Sequence, residues 1–114
     1  MKWGSSVVVS ANAADALARA AARVREQLGR DTADLALLFV SNHFRDAFPR
    51  MPSLLQEHLP ANVLVGCSAG GVIGGGEEVE NQPAVSLTAA HLPGVKVHAL
   101  YTDTQDLPDA DASL

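Results

Sequence analysis

Asn62-Val-Leu-Val-Gly66-Cys67-Ser68-Ala69-Gly70-Gly71-Val-Ile-Gly74-Gly75-Gly76-Glu77 is the stretch on which the fold turns. An apolar run of strand type opens it, and six glycines follow within the eleven residues from Gly66 to Gly76. Glycine reaches backbone conformations closed to other residues and lets another group come close to the main chain. A strand that ends in such a loop, at the edge of a sheet, is a common way to build a small-molecule site.

Working backward, Leu35-Ala-Leu-Leu-Phe-Val40 is a second continuous apolar run, the pattern of a strand covered on both faces. Ser53 to Leu59 between the two runs reads as a short helix, with Met51-Pro52 at its entry and Pro60 as its stop. Further back, Asn12 with Asp15 three residues on marks a helix start. Leu17, Ala21, Val24 and Leu28 then recur at helical spacing, opposite Asp15, Arg19, Arg23, Glu26 and Arg30, and Gly29 closes the helix. Gly4 to Ser10 is a β-branched run. The order strand–helix–strand–helix–strand predicts a parallel sheet with right-handed crossovers.

Forward of the glycines the pattern changes. Val85, Leu87 and Ala89 alternate with Ser86 and Thr88, and after Pro93-Gly94 Val95, Val97, Ala99 and Tyr101 alternate with Lys96 and His98. Two alternating runs around a Pro-Gly turn predict an antiparallel hairpin. The expected fold is therefore α/β: a small two-layer or three-layer domain with a parallel βαβαβ core followed by an antiparallel β-hairpin. Residues 1–101 form the domain, and 102–114 read as a polar, acidic tail or linker.

The chain has 114 residues, 47% of them hydrophobic and 18% charged, the composition of one globular domain. Its net charge of −5 argues against nonspecific nucleic-acid binding. Seven of the eight basic residues fall in residues 1–50 and eight of the thirteen acidic ones in 51–114, a split that fits solvated faces. A single cysteine forms no internal disulfide and suits the reducing cytoplasm. No apolar run approaches the roughly 20 residues of a membrane helix, and the three valines Val7 to Val9 are too short for a signal peptide's apolar region.

Gly66-Cys67-Ser68-Ala69-Gly70 matches the G-x-S-x-G pattern of serine hydrolases. That elbow needs a helix directly after the serine, and Val72-Ile-Gly-Gly-Gly76 is a poor helix start. Cys67 paired with His43, His91 or His98 is an alternative nucleophile; the plainer reading is a small residue at a strand end. The histidines and the cysteine lack metal-ligand spacing, and neither G-x-G-x-x-G nor a Walker lysine is present, so no metal or cofactor is expected. Ser41-Asn42-His43 follows one buried run as Gly66-Cys67-Ser68 follows another. In a parallel sheet both lie at the carboxyl edge, where open α/β sheets hold ligands. These side chains offer hydrogen bonds without fixed charge, which suits a small polar ligand such as an amino acid.

Phe39-Val40-Ser41-Asn42-His43-Phe44, the Leu54-Leu55 helix, Val65 through Glu77, and Pro83-Ala84-Val85-Ser86-Leu87 together resemble the N-terminal FIST domain. The resemblance runs from about Trp3 to Tyr101, and its most specific part is Gly66-Cys67-Ser68 with Gly70; Ser41 and His43 match a looser strand-end pattern. It implies an intracellular sensory module of signal transduction that binds small ligands such as amino acids rather than turning them over. Family members have a longer N-terminal half and a separate C-terminal FIST domain, so the resemblance also implies that this chain is truncated. The expected ligand-binding residues are Ser41, Asn42, His43, Gly66, Cys67, Ser68, Ala69, Gly70 and Gly71. The partners are a small molecule and a C-terminal FIST domain or signalling partner, with neither nucleic acid nor membrane. The alternatives are a serine or cysteine hydrolase, and a non-catalytic protein-interaction domain of a larger protein.

Overall fold

The computed structural model describes residues 1–69, 71–74, 77–80 and 82–99; for 69, 71–74 and 77–80 the description is of the backbone. Strand β1 (Lys2–Val9) leads into helix α1 (Ala13–Leu28), followed by β2 (Ala33–Ser41). A 3₁₀ segment (Asn42–Arg50) runs into α2 (Met51–His58) and then β3 (Ala61–Ala69). Two short strands, β4 (Gly71–Gly74) and β5 (Glu77–Glu80), precede β6 (Ala84–His91).

The α1 boundaries follow from local chemistry. The Asn12 side chain accepts from the Asp15 N–H at 2.9 Å, satisfying one of the donors that a helix start leaves over. Gly29 ends the helix at φ 71, a left-handed conformation that glycine adopts without penalty, and donates to the Arg25 carbonyl at 2.8 Å. The predicted stripe of Leu17, Ala21, Val24 and Leu28 is buried, joined by Ala16 and Ala20. The small side chains let α1 lie close to β1 and β6.

The four-stranded sheet has the order β1-β6-β2-β3. β2 and β3 pair in parallel, from Ala33 opposite Ala61 to Ser41 opposite Ala69. β6 pairs antiparallel with both β1 and β2. The class is α/β as expected, and β1, β2 and β3 run in one direction, but β6 lies between β1 and β2. α1 and α2 cover one face and share a core with Val8, Ala36, Leu38, Val40, Val85, Leu87 and Ala89, which makes the helix-and-sheet packing two-layered. On the α2 side Arg25 donates to the His58 carbonyl at 2.6 Å, tying the two helices together.

Three details differ from the expected arrangement. The hairpin around Pro93-Gly94 is half present: the turn forms, with Val95 N–H donating to the Leu92 carbonyl at 3.1 Å, but residues 95–99 are not a strand. Tyr101 and the acidic tail lie outside the described residues. β6 instead completes both of its ladders within the sheet, and its small Ala84, Ser86, Ala89 and Ala90 are buried there. Second, the strand through Val63–Val65 is not covered on both faces. Among the described residues β3 is an outer strand, and Val65 is 50% exposed. Third, the glycine run is not a loop throughout. Gly66, Cys67 and Ser68 continue β3, while β4 and β5 form a two-stranded antiparallel pair whose first strand approaches β1, β2 and β6. Gly70, Gly75 and Gly76 fall outside the described residues.

Candidate functional site

An open groove of about 540 Å³ lies on the helix-bearing face, where the helical layer stops short of β3. Leu38 and Val40 of β2 form its floor. Phe48, Met51, Pro52 and Gln56 form one wall, and Leu64, Gly66, Cys67 and Ser68 of β3 the other. Pro52 sits in the first turn of α2, where its missing N–H costs nothing, and Met51 beside it is buried. The Gln56 amide both accepts from Ala61 N–H (3.1 Å) and donates to the Ala61 carbonyl (3.2 Å), so it fixes where β3 begins. With Gln56 engaged in this way, the exposed Ser68 is the polar side chain that β3 presents on the groove's face, while the Cys67 side chain, next along the strand, points to the opposite face. The rest of the lining is apolar.

Gly66 owes its place to a close approach. A Cβ there would stand 2.9 Å from the Leu38 carbonyl oxygen and 3.6 Å from the Leu38 Cβ. Leu38 is its direct partner in the parallel ladder. Within a strand, a glycine often marks such a contact.

Of the residues expected to bind a ligand, Gly66, Cys67 and Ser68 line the groove, and Ser41, Asn42 and His43 do not. The register does bring the ends of β2 and β3 together, with Ser41 opposite Ala69. Ser41, however, is buried and its hydroxyl accepts from the Ala84 N–H at 3.0 Å. The same hydroxyl lies 3.3 Å from His43 Nδ1, to which it can donate. Asn42 and His43 are exposed at the start of the 3₁₀ segment. Ala69 and Gly71 are described by backbone alone, and Gly70 is outside the description. Sequence reasoning missed Leu38, Val40, Phe48, Met51, Pro52, Gln56 and Leu64; the Met51-Pro52 entry to α2 was the available signal.

Ser68 lies within β3, and the described segment after it is strand β4, not a helix. The sharp strand-to-helix turn of a nucleophile elbow is therefore missing at this serine.

A second polar cluster stands at the other end of the sheet. The Asp34 carboxylate accepts from the Leu92 N–H at 2.6 Å and from the Asn62 amide at 3.3 Å, and His91 Nδ1 is 3.3 Å away. Arg30 meets the His91 ring. The Leu92 N–H holds the Asp34 carboxyl below its ordinary range, opposed by burial and helped by His91 and Arg30. The cluster clasps the amino end of β2 to the residues after β6. Among the described residues, no three His, Cys, Asp or Glu side chains are grouped to hold a metal ion, and no helix is long and apolar enough to cross a membrane.

Residues 34–113 match the family profile for the FIST N domain. Two uncharacterized proteins from strains of Mycobacterium tuberculosis are each 34% identical over 93 residues, covering 82% of this chain and 24% of theirs. An uncharacterized protein of Mycobacterium bovis is 31% identical over 85 residues, covering 75% of this chain and 22% of its own. The chain thus spans about a quarter of the length of the curated relatives it matches. Among solved structures, CetZ1 from Haloferax volcanii, a GDP-bound monomer, gives a TM-score of 0.46 at 17% identity, over 82% of this chain and 30% of its own. A likeness of that size carries no argument.

Proposed function

The chain belongs to the FIST N domain family, and from that premise we propose that it is the ligand-sensing part of a larger intracellular signalling protein, holding a small molecule in the groove between β3 and α2. One observation carries the reading: the groove is built on Gly66, Cys67 and Ser68, the residues on which the resemblance to the family is most specific. Its volume of about 540 Å³ lies in the range of small-molecule sites, which are mostly apolar with a few polar groups. In this reading the ligand's apolar body rests on Leu38, Val40, Met51 and Leu64, and its polar end meets Ser68. An amino acid with an apolar side chain has that shape. Ser41 is occupied with Ala84, and Asn42 and His43 stand outside the lining, so Gly66 to Ser68 form the contact surface.

The test is a thermal-shift screen of amino acids and small metabolites. A ligand at a hundredfold excess over its Kd stabilises the folded state by about 2.7 kcal/mol. Ser68→Phe fills the groove and is expected to abolish the shift while leaving a cooperative melt. A shift that survives Ser68→Phe, or the absence of any shift across the panel, refutes the reading. The site is read as binding without turnover, and labelling of Ser68 by a fluorophosphonate probe would reverse that. The signalling output, and any C-terminal FIST domain as partner, belong to the longer protein of which this chain is a part in the proposal.

A further inference from the structure

The outer edge of β3 has no partner strand among the described residues. Sheets protect such edges with charges, proline, bulges or short strands, because an open row of N–H and C=O groups templates pairing with another chain. β3 has none of these protections. Ala61–Ala69 is nine residues long and contains neither a charged residue nor a proline. Its register against β2 runs from Ala61 to Ala69 without a bulge. Apolar surface is exposed along it: Val65 is 50% exposed, and Phe39, opposite Cys67 on the neighbouring strand, is 39% exposed.

The strand is also complementary to itself. Set antiparallel to a second copy about a two-fold axis at Val65, Leu64 lies opposite the second copy's Gly66, so a large side chain meets a vacant position. Asn62 lies opposite the second copy's Ser68, polar against polar. On the other face Val63 lies opposite the second copy's Cys67, and Val65 opposite its own equivalent. Cross-strand pairs of this kind are the unit of sheet stabilisation. Moving the axis to Gly66 sets Leu64 against Ser68 and two glycines against each other. Moving it to Leu64 sets Asn62 against glycine. An axis perpendicular to the sheet keeps the helices of both copies on one face, and no charge in β3 opposes the approach.

We propose that β3 is a self-association edge, which joins two copies of this chain into one eight-stranded sheet by antiparallel β3–β3 pairing centred on Val65. The second copy's β3 then closes the open side of the groove beside Gly66. Each copy supplies the other's outer wall.

Sedimentation of the 114-residue chain tests this, with a concentration-dependent species of twice the chain mass expected. Val65→Lys sets two charges against each other at the axis and is expected to abolish that species while the far-ultraviolet circular dichroism is kept. The register is tested separately. Val65→Cys combined with Cys67→Ser places two thiols directly opposite, where paired Cα atoms about 4.5–5.5 Å apart lie within disulfide reach. Oxidation is expected to give a covalent dimer. Unaltered Cys67 is not expected to cross-link, because the two copies of it lie four positions apart along the strands, roughly 13 Å. A chain that stays monomeric at every concentration overturns the proposal, including one whose β3 amides resist hydrogen exchange because another segment of the polypeptide covers them. So does a dimer insensitive to Val65→Lys, or one that Cys67 cross-links as readily as Val65→Cys.

Discussion

Gly66→Ala should destabilise the domain, although the same change in an unstrained position would stabilise it. Replacing glycine by alanine limits the freedom of the unfolded chain and is worth about 0.4–1 kcal/mol in favour of folding where the backbone permits. At position 66 the new Cβ falls 2.9 Å from the Leu38 carbonyl oxygen. That atom belongs to the backbone of a strand hydrogen-bonded on both sides, to β3 and to β6, so it cannot swing away as a flexible side chain would. Forcing a methyl group into such a place costs about 1–3 kcal/mol. The two effects leave a net loss of about 1–2 kcal/mol. For a domain of this size that is a fall in Tm of roughly 4–8 °C. Urea denaturation followed by circular dichroism reads it as a lower midpoint at an unchanged slope. A midpoint that is unchanged or raised would show that β3 can shift against β2 at no cost, and would refute the view that Gly66 is placed by close approach.

Two of the buried serines make opposite predictions. Ser41→Ala leaves the buried Ala84 N–H without its acceptor and should cost about 1–3 kcal/mol by the same denaturation assay; no loss would show that the bond is replaced. Ser6 is buried beneath α1 with a hydroxyl that has no hydrogen-bond partner among the described residues, so Ser6→Ala should raise stability by about 1 kcal/mol, and a fall would show that the hydroxyl is satisfied. The Asp34 carboxyl, held low chiefly by the Leu92 N–H, adds stability that is in place above the ordinary carboxylate value of about 3.9 and is lost as pH falls through the lower value of the folded state. Asp34→Asn should flatten that acid limb in a plot of Tm against pH, and an unchanged limb would remove Asp34 as its source.

The sequence by itself determined what adjacent residues decide. Asn12, the stripe from Leu17 to Leu28 and Gly29 delimit α1, because capping and helical periodicity are satisfied within the segment. The apolar runs at Leu35–Val40 and Val63–Val65 announced two parallel neighbours, and the carboxyl-edge position of Gly66 to Ser68 was legible from the same order of elements. Strand order was not. That β6 enters between β1 and β2 depends on ladders between residues some eighty positions apart (to β1) and some fifty apart (to β2), and an alternating run gives no sign of whether one face or both will be covered. Val65 reads as core, yet it is exposed because nothing in the described sheet pairs beyond β3. Gly66 reads as loop because local rules see a flexible residue. The Leu38 carbonyl that requires it lies twenty-eight positions earlier in the chain. The groove itself needed the 3₁₀ segment and α2 to stop short of β3, leaving Phe48, Met51 and Pro52 facing Leu64 across a gap. Such a gap is a property of how layers meet, and it exists only once long-range pairing has fixed where each layer ends.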